Sequence, residues 1–184
     1  MSSTRLPNSS HKLLISAFGA ALFILSLGAL DTLTRGALSL PALLPPFGAS
    51  TVIVFFAPDS VASRAWNVVV GHLGSALVAL IVLALLPGHA LASQAALAVS
   101  GAAVWMVATK SVHPPGGATA LLAVLSHASL GTGALLLPVL LGCVTLIAIR
   151  RLLDLLIAPW STEVQVVPET LSHSLVEHGE APPG

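Results

Sequence analysis

Pro45-Pro46-Phe47-Gly48-Ala49-Ser50 and, further along, Pro114-Pro115-Gly116-Gly117-Ala118-Thr119 are two copies of one six-residue motif. Four of the six positions are identical, and the sixth exchanges one hydroxyl for another. Both copies stand in strongly apolar surroundings. Proline lacks the N–H and blocks a helix on its N-terminal side, yet it suits the first turn of a new helix. Each copy therefore predicts an extended approach that ends in a helix N-terminus at membrane depth. Proline-interrupted hydrophobic segments at matching places in two halves of a chain point to a transport site.

The composition agrees with a membrane setting. Of the 184 residues, 55% are hydrophobic and 8% are charged, against about 25% charged in a soluble domain. The formal net charge is zero. Without a basic patch interleaved with aromatics, nucleic acid is not expected as a partner. The lone Cys143 lies in an apolar run and reads as a packing residue. Arg5, His11 and Lys12 precede the apolar run Leu13–Leu30. That run is too long for a signal-peptide core, so it reads as a retained first transmembrane helix.

Six apolar segments follow one another: Leu13–Leu30, Leu38–Ala57, Trp66–Leu86, Leu91–Ala108, Val112–Ser126 and Ala134–Ile157. Asp31–Gly36, Pro58-Asp59-Ser60, Pro87-Gly88, Lys110 and Gly131–Gly133 read as the breaks between them. Residues 1–12 are a cytoplasmic N-terminal segment, 13–158 the transmembrane domain and 159–184 a cytoplasmic tail of disordered character. With six crossings and an internal N-terminus, six of the seven basic residues lie on the cytoplasmic side; only Arg35 lies outside. Four crossings would divide them four to three, so the positive-inside bias selects six. Three crossings per half invert the second half. The expected fold is an all-α membrane protein of two inverted three-helix repeats, each with a proline-broken second helix.

In such a repeat the two broken helices direct their N-termini at each other. Their first N–H groups lack intrahelical partners and carry the positive end of the helix dipole. Water or an anion is expected to meet those donors around Phe47, Gly48, Ala49 and Ser50, and again around Gly116, Gly117, Ala118 and Thr119. Glycine there lets the backbone approach a ligand. Lys110 and His113 precede the second copy, and His72 lies within the third apolar segment. Ionisable groups at such depth usually face an interior cavity. For each there is a plainer alternative: an interfacial anchor for Lys110, a carbonyl-bound ring for His113, a helix–helix tie for His72. Asp31 and Asp59 border loops and Asp154 follows the Arg150-Arg151 pair near the end of the last segment, which disfavours a carboxylate-coordinated cation site and leaves an anion or a small neutral solute.

The string His113-Pro114-Pro115-Gly116-Gly117-Ala118-Thr119-Ala120 resembles the signature of the HPP family of integral membrane proteins. Pro46-Phe47-Gly48-Ala49-Ser50 and Asn67-Val68-Val69-Val70-Gly71-His72 are similar to that family's other recurrent stretches. The family is usually described with about four hydrophobic spans, whereas the count here is six. Some plastid and cyanobacterial-type members are associated with nitrite transport, so the resemblance implies nitrite as the leading substrate among small monovalent anions.

The expectation is a transporter or channel for such an anion, with a proton carried at His113, in a bacterial cytoplasmic membrane with both termini inside. A non-transporting scaffold or sensor subunit is the alternative. An enzyme is not expected, since no two histidines stand three or four residues apart and no carboxylate shares their depth. No cofactor or metal is expected. The lipid bilayer and the anion are the expected partners. Gly71-x-x-Gly74 suits close helix contact, either in a homodimer or within one protomer.

Overall fold

The computed structural model describes residues 9–38, 42–130 and 134–157. They form six α-helices: α1 (Ser9–Leu38), α2 (Pro46–Phe56), α3 (Ala65–Leu85), α4 (Leu91–Ala108), α5 (Pro115–Leu130) and α6 (Leu136–Ile157), with a short 3-10 turn at Val61–Ser63. The proline rule holds locally, for α2 and α5 begin at the second proline of each motif. The breaks at Pro58–Ser60, Pro87-Gly88 and Lys110 also hold. Gly88 and Lys110 both take left-handed backbone there, with φ of 73° and 52°. The loop at Gly131–Gly133 and the tail from 159 onward lie outside the described residues, as do residues 1–8.

One expectation needs correction. Asp31–Gly36 is no break, because α1 runs through it to Leu38. The Asp31 carboxylate instead accepts the N–H groups of Ala42 (2.7 Å) and Leu43 (3.1 Å), so it anchors the approach to the first motif. A charge that looked like a helix end is a tether to a segment beyond the helix. Hydrogen bonds to a charged acceptor contribute about 1.5–3 kcal/mol. Asp31→Ala is therefore expected to lower thermal stability in detergent, and Asp31→Asn, which keeps one acceptor, to lower it less.

The six helices differ in length. Four segments are long and apolar enough to cross a bilayer: His11–Leu33, Ala65–Leu85, Leu91–Ala108 and Leu136–Leu156. The 11 residues of α2 rise only about 16 Å, against a hydrocarbon core of about 30 Å. With 16 residues α5 rises about 24 Å. Neither broken helix is long enough to span by itself, because each starts only at the second proline of its motif.

Small residues set the packing, as expected where helices associate through close van der Waals contact rather than through water exclusion. α3 packs against both α4 and α5, which also pack on each other, and α2 lies on α1 and α5. Gly71 and Gly116 face each other between α3 and α5, Gly74 receives the Trp105 ring, and Gly142 of α6 receives the Phe47 ring. Each broken helix thus leans on the third helix of the other half. Leu25, Ile81, Leu85 and Val104 are exposed on the outer faces of the long helices. That exposure is ordinary where the surrounding medium is lipid.

Candidate functional site

The two motifs start their helices in the same way. Four N–H groups at a helix start would normally lack partners. In each copy two of them do not exist, since both residues are proline. The next two are turned back onto preceding carbonyls. Phe47 donates to Leu44 (3.0 Å) and Gly48 to Pro45 (3.0 Å), while Gly116 donates to His113 (2.8 Å) and Gly117 to Pro114 (3.0 Å). The expectation of unpaired donors awaiting an anion is therefore not met. Double proline begins a helix in a water-poor setting without leaving donors orphaned, which is what such a setting demands.

The sixth residues are where the two copies meet. Ser50 and Thr119 are buried, and each lies within reach of the carbonyl four residues back, at Pro46 (3.2 Å) and Pro115 (3.3 Å). Two wholly buried histidines join them. The Ser50 hydroxyl lies 2.8 Å from His72 Nε2 and 2.9 Å from His113 Nε2. On their far sides, His72 Nδ1 lies 2.6 Å from the Thr119 hydroxyl and His113 Nδ1 lies 2.8 Å from the Ala62 carbonyl. One continuous chain results: Thr119, His72, Ser50, His113, Ala62.

Packing holds the chain in place. The Phe47 ring stands 5.0 Å from the His72 ring and 5.9 Å from Phe23, and the two imidazoles are 4.9 Å apart. Met106 sulfur accepts the His113 N–H, and the Asn67 side-chain amide holds the Val112 carbonyl. Gly71 is needed beside this loop, since a Cβ there would lie 2.8 Å from His113 Cβ. Among the described residues no cluster of three His, Cys, Asp or Glu forms. The donors here are arranged for hydrogen bonding, and the four side chains can pass or store a proton.

Of the residues singled out in the sequence, Phe47, Ser50, His72, His113 and Thr119 come together. Gly116 is buried against α3, Gly117 is half-buried, and Gly48, Ala49 and Ala118 face outward. Lys110 is not in the site. Its side chain is exposed and its left-handed backbone closes α4, with Lys110 N–H bonded to Val107 and Ser111 N–H to Met106. Two groups escaped the sequence reading. One is the Ala62 carbonyl, which no side-chain pattern reveals. The other is Ser75, buried with no partner for its hydroxyl and placed one turn beyond His72. The spacing His72-x-x-Ser75 puts both on one helix face and would have been the signal.

The fold and this chain define a polytopic α-helical membrane protein with a buried histidine–hydroxyl network where two proline-started helices meet. The chain belongs to the HPP family, whose transmembrane region matches residues 6–159. A transmembrane protein of Dictyostelium discoideum is 45% identical over 109 residues, covering 57% of this chain and 35% of its own. A second transmembrane protein of that organism is 44% identical over 85 residues, covering 45% of this chain and 30% of its own. The chain thus spans about a third of the length of these curated relatives. No solved structure matches.

Proposed function

We propose that the protein moves a small monovalent anion across the membrane together with a proton, nitrite being the leading substrate. The observation that carries this is the Ser50–His72–His113–Thr119 chain. It is a buried polar network between the two motif copies, and every one of its hydrogen bonds is to another member or to a backbone carbonyl. A structural tie between helices needs one such bond, whereas here two ionisable rings share one hydroxyl. A proton on either ring is a buried positive charge with no carboxylate hydrogen-bonded to it among the described residues, which is costly alone and much less so beside an anion. That energetic dependence links the two solutes. The unpartnered Ser75 hydroxyl, next to Gly116, is a free donor for the anion at the start of α5.

The inverted repeat is part of the same reading. The turns of the two motifs are equivalent bond for bond, and each broken helix packs on the third helix of the other half. In this reading α2 and α5 belong to two broken crossings, with both termini cytoplasmic as the basic residues favour. Lys110, exposed at the end of α4, acts only as a charge that attracts the anion from a distance.

Purified protein in liposomes is expected to take up nitrite, faster with an inward proton gradient, when assayed against nitrate, formate and chloride. Vesicles impermeable to all four under every gradient would leave a non-transporting scaffold as the better reading.

A further inference from the structure

The directions of the hydrogen bonds in the chain follow from one fixed point. A carbonyl only accepts, so His113 Nδ1 carries a hydrogen toward Ala62. In a neutral ring Nε2 is then bare and must accept from Ser50. Ser50 has one hydrogen, so His72 Nε2 must donate to the Ser50 oxygen. His72 Nδ1 is then bare and accepts from Thr119. All four side chains are satisfied, and each points its hydrogen toward Ala62.

A second arrangement is equally complete and holds one more proton. A doubly protonated His113 donates to Ala62 and to Ser50. Ser50 then donates to His72 Nε2, His72 Nδ1 donates to Thr119, and the Thr119 hydroxyl turns to the Pro115 carbonyl at 3.3 Å. No bond is lost between the two states; the three side-chain links reverse, and His113 Nδ1 donates to Ala62 in both.

We propose that Thr119, His72, Ser50 and His113 form a one-proton relay in which a proton received at Thr119 appears at His113 by the shift of one hydrogen at every link. The donor is a hydronium ion or the conjugate acid of the transported anion. Its proton bonds to the Thr119 oxygen as the hydrogen already there moves to His72 Nδ1. The Nε2 hydrogen of His72 moves to Ser50, and the Ser50 hydrogen moves to His113 Nε2. One proton enters, each member keeps one labile hydrogen except His113, which now has two, and no electrons are transferred.

Several charged groups on the neighbouring elements stay out of the chain. Asp59, Arg64 and Lys110 are exposed, and the Arg150 guanidinium reaches the Val54 carbonyl. On α1, His11 and Lys12 are exposed and Asp31 holds Ala42 and Leu43. His127 stands in the last turn of α5, away from the Thr119 end. Among the described residues no carboxylate is hydrogen-bonded to the relay, which deepens the anion-coupled reading above and rests on it for its purpose.

The test is nitrogen NMR of the two rings in the full chain, reconstituted in lipid and titrated from neutral to acid pH. At rest His72 should carry hydrogen on Nε2 and His113 on Nδ1. As His113 gains its second hydrogen, His72 should change tautomer to Nδ1–H in the same step. A His72 that keeps its tautomer while His113 charges, or two rings with the same tautomer at rest, would overturn the relay. Ser50→Ala should uncouple the two events and Ser50→Thr should restore them. If Ser50→Ala does not fold, Thr119→Val should block the His72 switch by removing its partner, and a switch that persists there counts against the relay. The spectra need no anion flux, so a relay without transport and transport without a relay are separate results.

Discussion

Gly116→Ala is expected to destabilise the protein by about 1–3 kcal/mol, the usual cost of adding a methyl to a filled interface. Its Cβ would lie 2.7 Å from the Gly71 carbonyl oxygen and 2.9 Å from the Ser75 hydroxyl. The first of these is backbone, so α3 and α5 must separate, and His72 and Thr119 are the side chains that those helices hold together. Loss of stability should therefore come with loss of uptake. Gly48→Ala is the sharp contrast. No atom lies within 4 Å of a Cβ there, and alanine gains about 0.5–1 kcal/mol over glycine within a helix. Gly117→Ala meets only Val99, at an ordinary 3.9 Å. Thermal unfolding and uptake of the three variants, at equal membrane content, decide the matter. Equal losses at Gly116 and Gly48 would show that the motif glycines serve the ligand path rather than the α3–α5 contact.

His113→Gln should have the largest effect on activity. Glutamine keeps polar atoms of similar reach, so Ala62 and Ser50 retain hydrogen-bonding neighbours, but an amide cannot take up the proton. Proton-driven uptake should fall on the order of a hundredfold, the lower end of what loss of a positioned proton carrier costs. Thermal stability should change far less, because the ring is replaced by a side chain that fills and bonds. If His113→Gln unfolds the protein while His113→Ala in a stabilised background still transports with normal pH dependence, the imidazole is a structural tie.

The helix starts at Pro46 and Pro115 were legible from the sequence because proline acts locally, on its own φ and its own missing hydrogen. The buried histidines were legible for a similar reason, as ionisable groups in apolar runs. What the sequence withheld was non-local. Asp31 looked like a helix end until its partners, Ala42 and Leu43, were seen to come from beyond the helix. Gly116 and Gly117 are indistinguishable as letters, yet only one of them touches α3 closely. Lys110 stands three residues from His113 in sequence, but its left-handed turn leaves it exposed while His113 turns inward. An apolar run measures composition, not how much of it is helical, so the lengths of α2 and α5 were not legible from the runs that contain them.

The most direct test of proton-coupled anion transport is to record nitrite influx and internal pH together in the same liposomes. The account predicts that the lumen acidifies in step with nitrite entry, about one proton per anion as neutralisation of a single buried charge requires, and that His113→Gln abolishes both signals together. Nitrite influx with no accompanying acidification, at a rate indifferent to the proton gradient, would contradict it.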